Sequence, residues 1–368
     1  MKISQVNLYH LRMPLQAAFK TSFGSTLERE CILLEAGSEG LVGYGECVAD
    51  RDPGYSYETS KTAWHVLKDF LIPVILNADM KSAQDLQNEI THVRGHPMAK
   101  AGLEMVLWDL LGKRNGRSLQ NMLGGDGKAV QVGVSVGIQK DQKTLIEVVD
   151  SYLQIGYGRV KLKIMPGRDV VDVSTVRQAF PELRLQVDAN SAYDLDSARA
   201  IYPLDDLDLL MIEQPLAEDD LWDHRQLQTR FTTPICLDES IESDRHARQA
   251  LEMEACRVVN IKSGRVGGLS QGIAIHNLCY EAGVPVWCGG MLETGVGRAA
   301  NLALASLAGF IYPGDISATD RYYAEDITNE RFHLNPDSSI DVPDLPGLGI
   351  SIDTHALQKF TVEKITVE

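Results

Sequence analysis

Five residues whose side chains can bind a metal or move a proton recur at nearly equal intervals along the chain. The gaps between successive members are 25, 25, 25 and 24 residues, and each member closes a run typical of a β-strand. The five are Lys163, Asp188, Glu213, Asp238 and Lys262. This period suits one strand, one helix and two short loops of a (β/α)8 barrel. Because the ends of barrel strands meet at one mouth, we expect three carboxylates and two ammonium groups to converge in an enzyme active site.

The three acidic members of this series predict a divalent-metal site. Asp188, Glu213 and Asp238 offer only carboxylate oxygens, and no histidine is placed with them. Hard oxygen donors select Mg2+ or Mn2+ over zinc or copper. Asn190 lies two residues after Asp188, on the same face of the strand, and is expected to support the site. A single acidic residue at a strand end is usually a loop cap or a surface charge, but three in register on consecutive strands indicate a metal centre.

The lysines predict general acid–base chemistry. Lys161 and Lys163 alternate within the apolar run VKLKI, so both side chains project from one face of a strand. Two adjacent ammonium groups near a divalent cation favour loss of a proton from one of them, and a general base works best with a pKa near the operating pH. We therefore expect Lys163 to be the base and Lys161 to tune it. Lys262 lies four strand–helix units further on and should face Lys163 across the barrel. A metal that holds a carboxylate between these lysines suits removal of the adjacent proton, because the metal stabilises the enediolate that results.

The bulk composition limits the location and the partners. The chain has 368 residues and a formal net charge of −16, from 35 basic and 51 acidic residues, which disfavours a nucleic-acid partner. No apolar run approaches the length of a membrane span, and the first residues lack the apolar core of a signal peptide. The six cysteines form no CxxC pair, which indicates buried thiols in a reducing compartment. We expect a cytoplasmic homo-oligomer with no membrane partner, acting on a small-molecule carboxylate.

Three segments are expected along the chain. Residues 1–125 show strand patterns followed by amphipathic helices, which indicates an α+β capping domain. Residues 126–325 alternate between apolar strands and helices in seven units, with FIYPGDIS as a candidate eighth strand, which indicates a buried parallel barrel. Residues 326–368 are loop-rich up to a final strand-like stretch, which we expect to return to the capping domain.

At the residues of the series, the chain strongly resembles the enolase superfamily in its muconate-lactonizing subgroup. The matching elements are Lys161-x-Lys163, Asp188-x-Asn190, MIEQP, CLDES and NIKSGR, and the resemblance covers essentially the whole chain. It implies an α/β fold with a modified TIM barrel of the (β/α)7β type and an N-terminal α+β capping domain. It also implies that the three acidic residues bind Mg2+ and that Lys163 and Lys262 are the acid–base catalysts.

Within that subgroup the chain is most similar to the o-succinylbenzoate synthase / N-succinylamino acid racemase group. The strings QVDANSAY, IEQPLAEDD, VNIKSGRVGG and GDISATDRYY carry this similarity. It implies a Mg-dependent syn-dehydration of 2-succinyl-6-hydroxy-2,4-cyclohexadiene-1-carboxylate in menaquinone synthesis. Lys163 would take the α-proton and return it to the departing hydroxyl on the same face, with Lys262 acting as a nearby cation. Racemisation of N-succinylamino acids, as an alternative or a second activity, would use the two lysines from opposite faces, and Arg265 would tune Lys262.

The resemblance also implies a set of substrate contacts. Loops around Phe19–Ser25 and Asp50–Tyr55 are expected to close over the substrate tail, and Glu239 is expected to orient a lysine. The residues expected to contact the substrate are Phe19, Phe23, Ser135, Gly290, Met291 and Glu293.

Two other sequence signals are interpreted structurally. Gly295-x-Gly297-x-x-Ala300 matches a dinucleotide-binding fingerprint, but no strand ending in an acidic residue follows about twenty residues later. We expect instead a helix N-terminus that offers backbone N–H groups to a substrate carboxylate. The nine histidines are scattered, and His224 and His246 are expected on helix surfaces.

Several alternatives remain open on the residues alone. A dedicated N-succinylamino acid racemase would use the same five residues. Dipeptide epimerases carry an Asp-x-Asp pair on the eighth strand, whereas this chain has Asp315-Ile316-Ser317, and muconate cycloisomerase fits the strings less well. A barrel that had lost its activity should have lost at least one of the five residues, and all five are present.

Overall fold

Two sheets organise the chain, an antiparallel one in the N-terminal part and a parallel one in the larger part that follows. The computed structural model describes residues 1–22, 24–76 and 78–368. The strands are β1 Val6–Lys20, β2 Ser25–Ser38, β3 Leu41–Cys47, β4 Ala129–Gln131, β5 Val134–Val136, β6 Arg159–Lys163, β7 Arg184–Asp188, β8 Ile212–Glu213, β9 Ile235–Leu237, β10 Val258–Ile261, β11 Val286–Cys288, β12 Ser339–Asp341 and β13 Thr361–Val367.

Helices surround both sheets. The α-helices are α1 Ser60–Val66, α2 Ile72–Ile75, α3 Ala83–Ile90, α4 Pro97–Asn115, α5 Leu119–Leu123, α6 Gln142–Ile155, α7 Asp169–Ala179, α8 Leu221–Gln228, α9 Asp244–Glu252, α10 Leu269–Glu281, α11 Gly295–Ala305 and α12 Thr354–Phe360. A π-helical turn, Leu67–Leu71, joins α1 to α2, and Ser197–Asp206 and Thr319–Arg321 form 3-10 helices. No helix in the described ranges is both long enough and apolar enough to cross a membrane.

The antiparallel sheet has the order β13-β1-β2-β3, so its first strand comes from the C-terminal end of the chain. In the register of that pairing Val6 lies opposite Val367. Helix α4 packs on β3 of this sheet. It starts with Pro97 at its first position and ends at Gly116, whose φ of 62° terminates the helix in the left-handed conformation. The result is an α+β domain with an apolar core of its own.

The parallel sheet has the order β11-β10-β9-β8-β7-β6-β5, which is the order of the chain. These strands are almost entirely buried, as expected for a sheet covered by helices on one face and closed around a core on the other. The segment predicted as the eighth strand closes the barrel through two single bridges, from Phe310 to Val286 and from Gly314 to Val132. Pro313 in this segment cannot donate a backbone hydrogen bond, which accounts for its irregularity. The predicted barrel is therefore confirmed, with a reduced closing strand.

The helix that follows β7 is a 3-10 helix from Ser197 to Asp206, with Pro203 inside it. One local prediction requires correction. His224 was expected on a helix surface, but it is fully buried in α8. Its ring accepts a hydrogen bond from Leu216 N at 3.2 Å and donates one to Asp220 O at 2.6 Å. The imidazole therefore stabilises the loop between β8 and α8. All six cysteines are buried free thiols, as expected.

Candidate active site

The five residues of the repeating series converge at the carboxyl-terminal mouth of the barrel. Strand pairing places Lys163 opposite Asp188, and Asp188 opposite Glu213. Asp238 directly follows β9 and Lys262 directly follows β10. The three carboxylates are at most 1% exposed. The strand period of the sequence thus translates into one cluster, because each strand ends at the same level of the barrel.

Lys161 lies at the centre of three carboxylates. Its Nζ is 2.7 Å from Asp315 Oδ2, 2.8 Å from Glu213 Oε2 and 3.0 Å from Asp188 Oδ2. The Nζ of Lys163, two residues later on the same strand face, donates to Asp188 Oδ2 and to Asn190 Oδ1, each at 2.6 Å. The two lysines therefore share Asp188, and Asn190 provides a second acceptor for Lys163.

Lys262 lies against the third carboxylate and a tyrosine of the capping domain. Its Nζ is 2.6 Å from Asp238 Oδ2 and 2.9 Å from Tyr55 Oη, and it stands 4.4 Å from the centre of the Tyr55 ring. Arg265 pairs with the other oxygen of Asp238 and donates to Tyr55 Oη at 3.2 Å. The loop expected to cover the substrate thus reaches a predicted catalytic lysine directly.

The electrostatics of this cluster are strongly coupled. Burial opposes ionisation of Asp188, but Lys163 and Lys161 outweigh that effect and lower its pKa. Burial and then the charge of Asp188 raise the pKa of Glu213, although Lys161 opposes the shift. Burial also opposes the charge of Lys161, yet the surrounding carboxylates prevail and raise its pKa. The carboxylates therefore repel one another and are held together by ammonium groups.

A second group of shifts surrounds Lys262. Burial opposes its charge, but Tyr55 and Glu239 outweigh burial and raise its pKa. Burial, followed by the charge of Asp188, raises the pKa of Glu239 to about 7. Glu239 accepts a hydrogen bond from Asn190 Nδ2 at 2.8 Å, and Asn190 in turn accepts from Lys163. Glu239 is thus linked to Lys163 through Asn190, and its charge acts on Lys262.

The chemistry of these donors fits a divalent cation. As the side chains stand, no three acidic, histidine or cysteine side chains in the described ranges surround one point closely enough to hold a metal ion. Between Asp188 and Glu213 the ammonium group of Lys161 supplies the positive charge. Two mutually repelling carboxylates, with a third at the end of the next strand, form the oxygen donor set that Mg2+ and Mn2+ prefer.

A cavity opens above this cluster and is lined by both domains. Four of the residues expected to contact the substrate line it, together with the three lysines: Phe19, Ser135, Gly290 and Met291, and Lys161, Lys163 and Lys262. Phe19 belongs to β1, and the backbone N–H of Ile138 donates to Lys20 O at 3.0 Å, which docks the β1–β2 hairpin on the barrel. The buried hydroxyl of Ser135 has no hydrogen-bond partner among the described residues, so it is available to a substrate. Phe23 lies outside the described residues.

One residue expected to contact the substrate lies away from the cavity wall. Glu293 does not line the cavity. Its Oε1 accepts from Asn301 Nδ2 at 2.9 Å and its Oε2 accepts from Met291 N at 2.9 Å. Glu293 therefore shapes the loop that carries Gly290 and Met291, and both of its oxygens are occupied.

The helix that begins at Gly295 does not offer its N-terminus to a substrate, which corrects the prediction for this motif. Glu46 of β3 accepts hydrogen bonds from Thr294 N, Thr294 Oγ1 and Gly297 N, the last at 2.9 Å. Gly295 N donates to Asp326 at 3.2 Å. A carboxylate does bind the start of α11, but it comes from the capping domain and joins the two domains.

Sequence reasoning missed three polar residues of the cluster. Asn260 Nδ2 donates to Glu213 Oε1 at 2.7 Å. It lies two residues before Lys262, so the period of a β-strand could have identified it. On the sequence alone, Asp315 served only to argue against a dipeptide epimerase. Tyr55 was identified only as the last residue of a loop expected to cover the substrate. Their contacts with the lysines depend on barrel closure and domain docking, which no local pattern reports.

Comparison with known proteins identifies the family of the chain. The model of the mandelate racemase / muconate lactonizing enzyme N-terminal domain matches residues 3–124, and the enolase C-terminal domain-like model matches residues 144–356. The chain belongs to the enolase superfamily. The o-succinylbenzoate synthase of Geobacillus kaustophilus is 48% identical over 98% of this chain and 96% of the relative. The N-succinylamino acid racemase of Amycolatopsis sp is 47% identical over the full length of both chains.

A solved structure supports the same assignment at the level of the fold. An enolase superfamily member from Listeria innocua Clip11262 aligns with a TM-score of 0.96 and 41% identity, covering 100% of this chain and 99% of the other. Enolase superfamily enzymes of this kind use a divalent metal. The capping domain and barrel described above are those of this superfamily.

Proposed function

We propose that this chain is an o-succinylbenzoate synthase, a hydro-lyase that dehydrates 2-succinyl-6-hydroxy-2,4-cyclohexadiene-1-carboxylate. The observation that carries the proposal is that Lys163 and Lys262 line one cavity directly above three buried carboxylates on adjacent strand ends. Relatives with this name from Geobacillus kaustophilus and Bacillus subtilis are 48% and 44% identical over 98% of this chain.

Mg2+ is the metal that the donor set supports best, since all of its charged donors are carboxylate oxygens. Asp188, Glu213 and Asp238 would hold it. When bound, the metal would neutralise the charge that builds up on the substrate carboxylate as the α-proton leaves.

Lys163 moves the proton in this proposal. Its Nζ, held between Asp188 and Asn190, breaks the α-C–H bond as a neutral amine and becomes an ammonium group. The electron pair of that bond then re-forms as a C=C bond while the C–O bond to the hydroxyl breaks. Lys163 returns the same proton to the departing oxygen, so water leaves from the face that lost the proton. The ring becomes aromatic, and the base is regenerated.

Lys161 and Lys262 supply fixed positive charge. Lys161 is buried among three carboxylates, and Lys262 is tied to Asp238 and to Tyr55. Both ammonium groups line the cavity, where they favour a substrate carboxylate over a neutral group. The unpartnered hydroxyl of Ser135 is a further donor at the cavity wall.

Racemisation of N-succinylamino acids is a second candidate function. Two amines, one on β6 and one directly after β10, could each exchange the α-proton from its own face, and dehydration needs only one of them. The N-succinylamino acid racemases of Amycolatopsis sp and Thermus thermophilus are 47% and 45% identical to this chain. Because both reactions begin with the same proton abstraction, one site can support both.

A dehydration assay tests the proposal. We expect fast loss of the absorbance of the cyclohexadiene substrate with Mg2+, no loss after EDTA, and full recovery when Mg2+ is restored. Absence of turnover with Mg2+, while an N-succinylamino acid is racemised under the same conditions, would reject the synthase in favour of the racemase. Dehydration that persists in EDTA would contradict the metal site.

A further inference from the structure

Asp315 is a buried carboxylate of the cavity to which the mechanism above assigns no role. It is 6% exposed and lies on the segment that closes the barrel. Its backbone N–H donates to Cys288 O at 2.8 Å, which fixes the main chain. Its Oδ2 lies 2.7 Å from Lys161 Nζ, and its Oδ1 accepts from Arg159 Nη1 at 2.7 Å.

The three carboxylates around Lys161 are not equivalent. Asp188 and Glu213 belong to the set that would hold the metal, whereas Asp315 does not. A divalent cation and the ammonium group of Lys161 compete for the charge of the first two residues. Asp315 is therefore the partner that Lys161 can keep when the metal is bound.

The contacts of Arg159 fix the position of the Asp315 carboxylate. Arg159 also donates to Pro313 O at 2.7 Å and lies over the ring of Trp287, 5.6 Å from its centre. Lys161 Nζ is 4.8 Å from the centre of the same ring. A side chain at Gly133 would collide with the guanidinium group, so this glycine makes room for Arg159. The carboxylate is thus fixed between two cations that stack on one indole.

We propose that Asp315 is a positioning residue that retains the Lys161 ammonium group when a divalent cation displaces it from Asp188 and Glu213. The inference rests on the proposed function, because it requires a metal at these carboxylates. Without Asp315, displacement of Lys161 from Asp188 and Glu213 would leave its buried ammonium group with none of the three carboxylates that now surround it.

The test is the affinity for the metal, measured by calorimetric titration of the whole chain with Mn2+ or Mg2+ and no substrate. Asp315→Asn should raise the Kd by about 10–100-fold, the usual effect of removing a residue that supports metal ligands. The same change in a Lys161→Met background should alter the Kd by less than about twofold, because the competitor is gone. An equal loss of affinity in both backgrounds would show a simple effect of one negative charge and overturn the proposal.

A matched control variant tests whether the effect is specific to Asp315, and a second variant replaces Asp315→Asn if that protein does not fold. Asp169 is also 6% exposed and accepts a hydrogen bond from Tyr193, outside the cluster. Asp169→Asn should leave the Kd unchanged, and a similar loss there would reject a specific role for Asp315. If Asp315→Asn does not fold, Asp315→Glu displaces the carboxylate while keeping its charge. That variant should raise the Kd in the wild-type background and not in the Lys161→Met background, and no difference between the backgrounds would refute the proposal.

The two proposals fail in distinguishable ways. Wild-type protein that binds neither Mn2+ nor Mg2+ at millimolar concentration would reject the proposed function and this inference together. Wild-type protein that binds the metal and dehydrates the substrate, but whose affinity is unaffected by Asp315→Asn, would reject only the role of Asp315.

Discussion

Replacement of Lys262 by arginine should separate dehydration from racemisation. Lys262 Nζ is 2.6 Å from Asp238, and the side chain is 6% exposed, so its charge acts in a poorly solvated place. Arginine keeps that charge but cannot lose a proton in a protein. Dehydration, which needs Lys262 only as a cation, should fall by no more than about tenfold. Racemisation, which needs it as an acid and a base, should fall by about 10²–10⁴, equivalent to roughly 3–5 kcal/mol of activation free energy.

A variant that removes the positive charge measures how much of the dehydration rate depends on that charge. Lys262→Met should slow dehydration by about 10–100-fold, or roughly 1.4–2.7 kcal/mol. The loss stays below the ~4 kcal/mol of a close pair at intermediate dielectric because Arg265 still faces Asp238. Dehydration is followed by absorbance, and racemisation by polarimetry on an N-succinylamino acid with Mg2+. Lys140→Arg, on an exposed residue, is the control and should change neither rate. A Lys262→Arg variant that racemises at the wild-type rate would refute the two-face reasoning.

Three further variants test the metal, the domain junction and the pH dependence. Glu213→Gln should weaken Mg2+ binding by at least about 100-fold in calorimetry, and unchanged Mg2+-dependent turnover would contradict the metal assignment. Glu46→Ala leaves buried N–H groups at the start of α11 without partners and should lower the free energy of unfolding in urea by about 3–5 kcal/mol. The control Glu28→Ala, at an exposed residue, should leave the free energy of unfolding unchanged. Equal effects of the two variants would show that Glu46 has no specific role in joining the domains. Burial lowers the pKa of His224 to about 4, so the unfolded chain binds its proton more readily and stability should fall by up to about 3 kcal/mol as pH drops from 6.5 to 4. His224→Gln should flatten that part of the pH profile, and an unchanged slope would assign the loss to other groups.

The residues at the strand ends were predictable because residues that recur once per strand–helix unit come together at one mouth of a barrel. Lys163, Asp188 and Glu213 follow one another in register, and the spacing of about 25 residues contains that information. The apolar strands of the barrel were recognisable for the same reason, since a buried parallel sheet has a simple pattern. Asn260, two residues before Lys262, obeys the same rule and was within reach of it.

Contacts made across the two domains were not predictable in this way. Tyr55 reaches Lys262, and Glu46 occupies the start of α11, only because the capping domain docks on the mouth of the barrel. The motif at Gly295 was expected to bind a substrate carboxylate, and local sequence could not show that Glu46 of the same chain occupies the start of this helix. The contacts of Glu293 were not predictable either, because they depend on how its own loop folds back on α11.

The most direct test of the central claim is the dehydration rate of Lys163→Ala measured together with its affinity for Mg2+. We predict that dehydration falls by at least about 10³-fold, as expected for loss of a general base. The variant should bind Mg2+ as tightly as the wild type or more tightly, because Asp188 loses a competing ammonium group. Dehydration within about tenfold of the wild type, in a variant that binds Mg2+ normally, would contradict the assignment of Lys163 as the base.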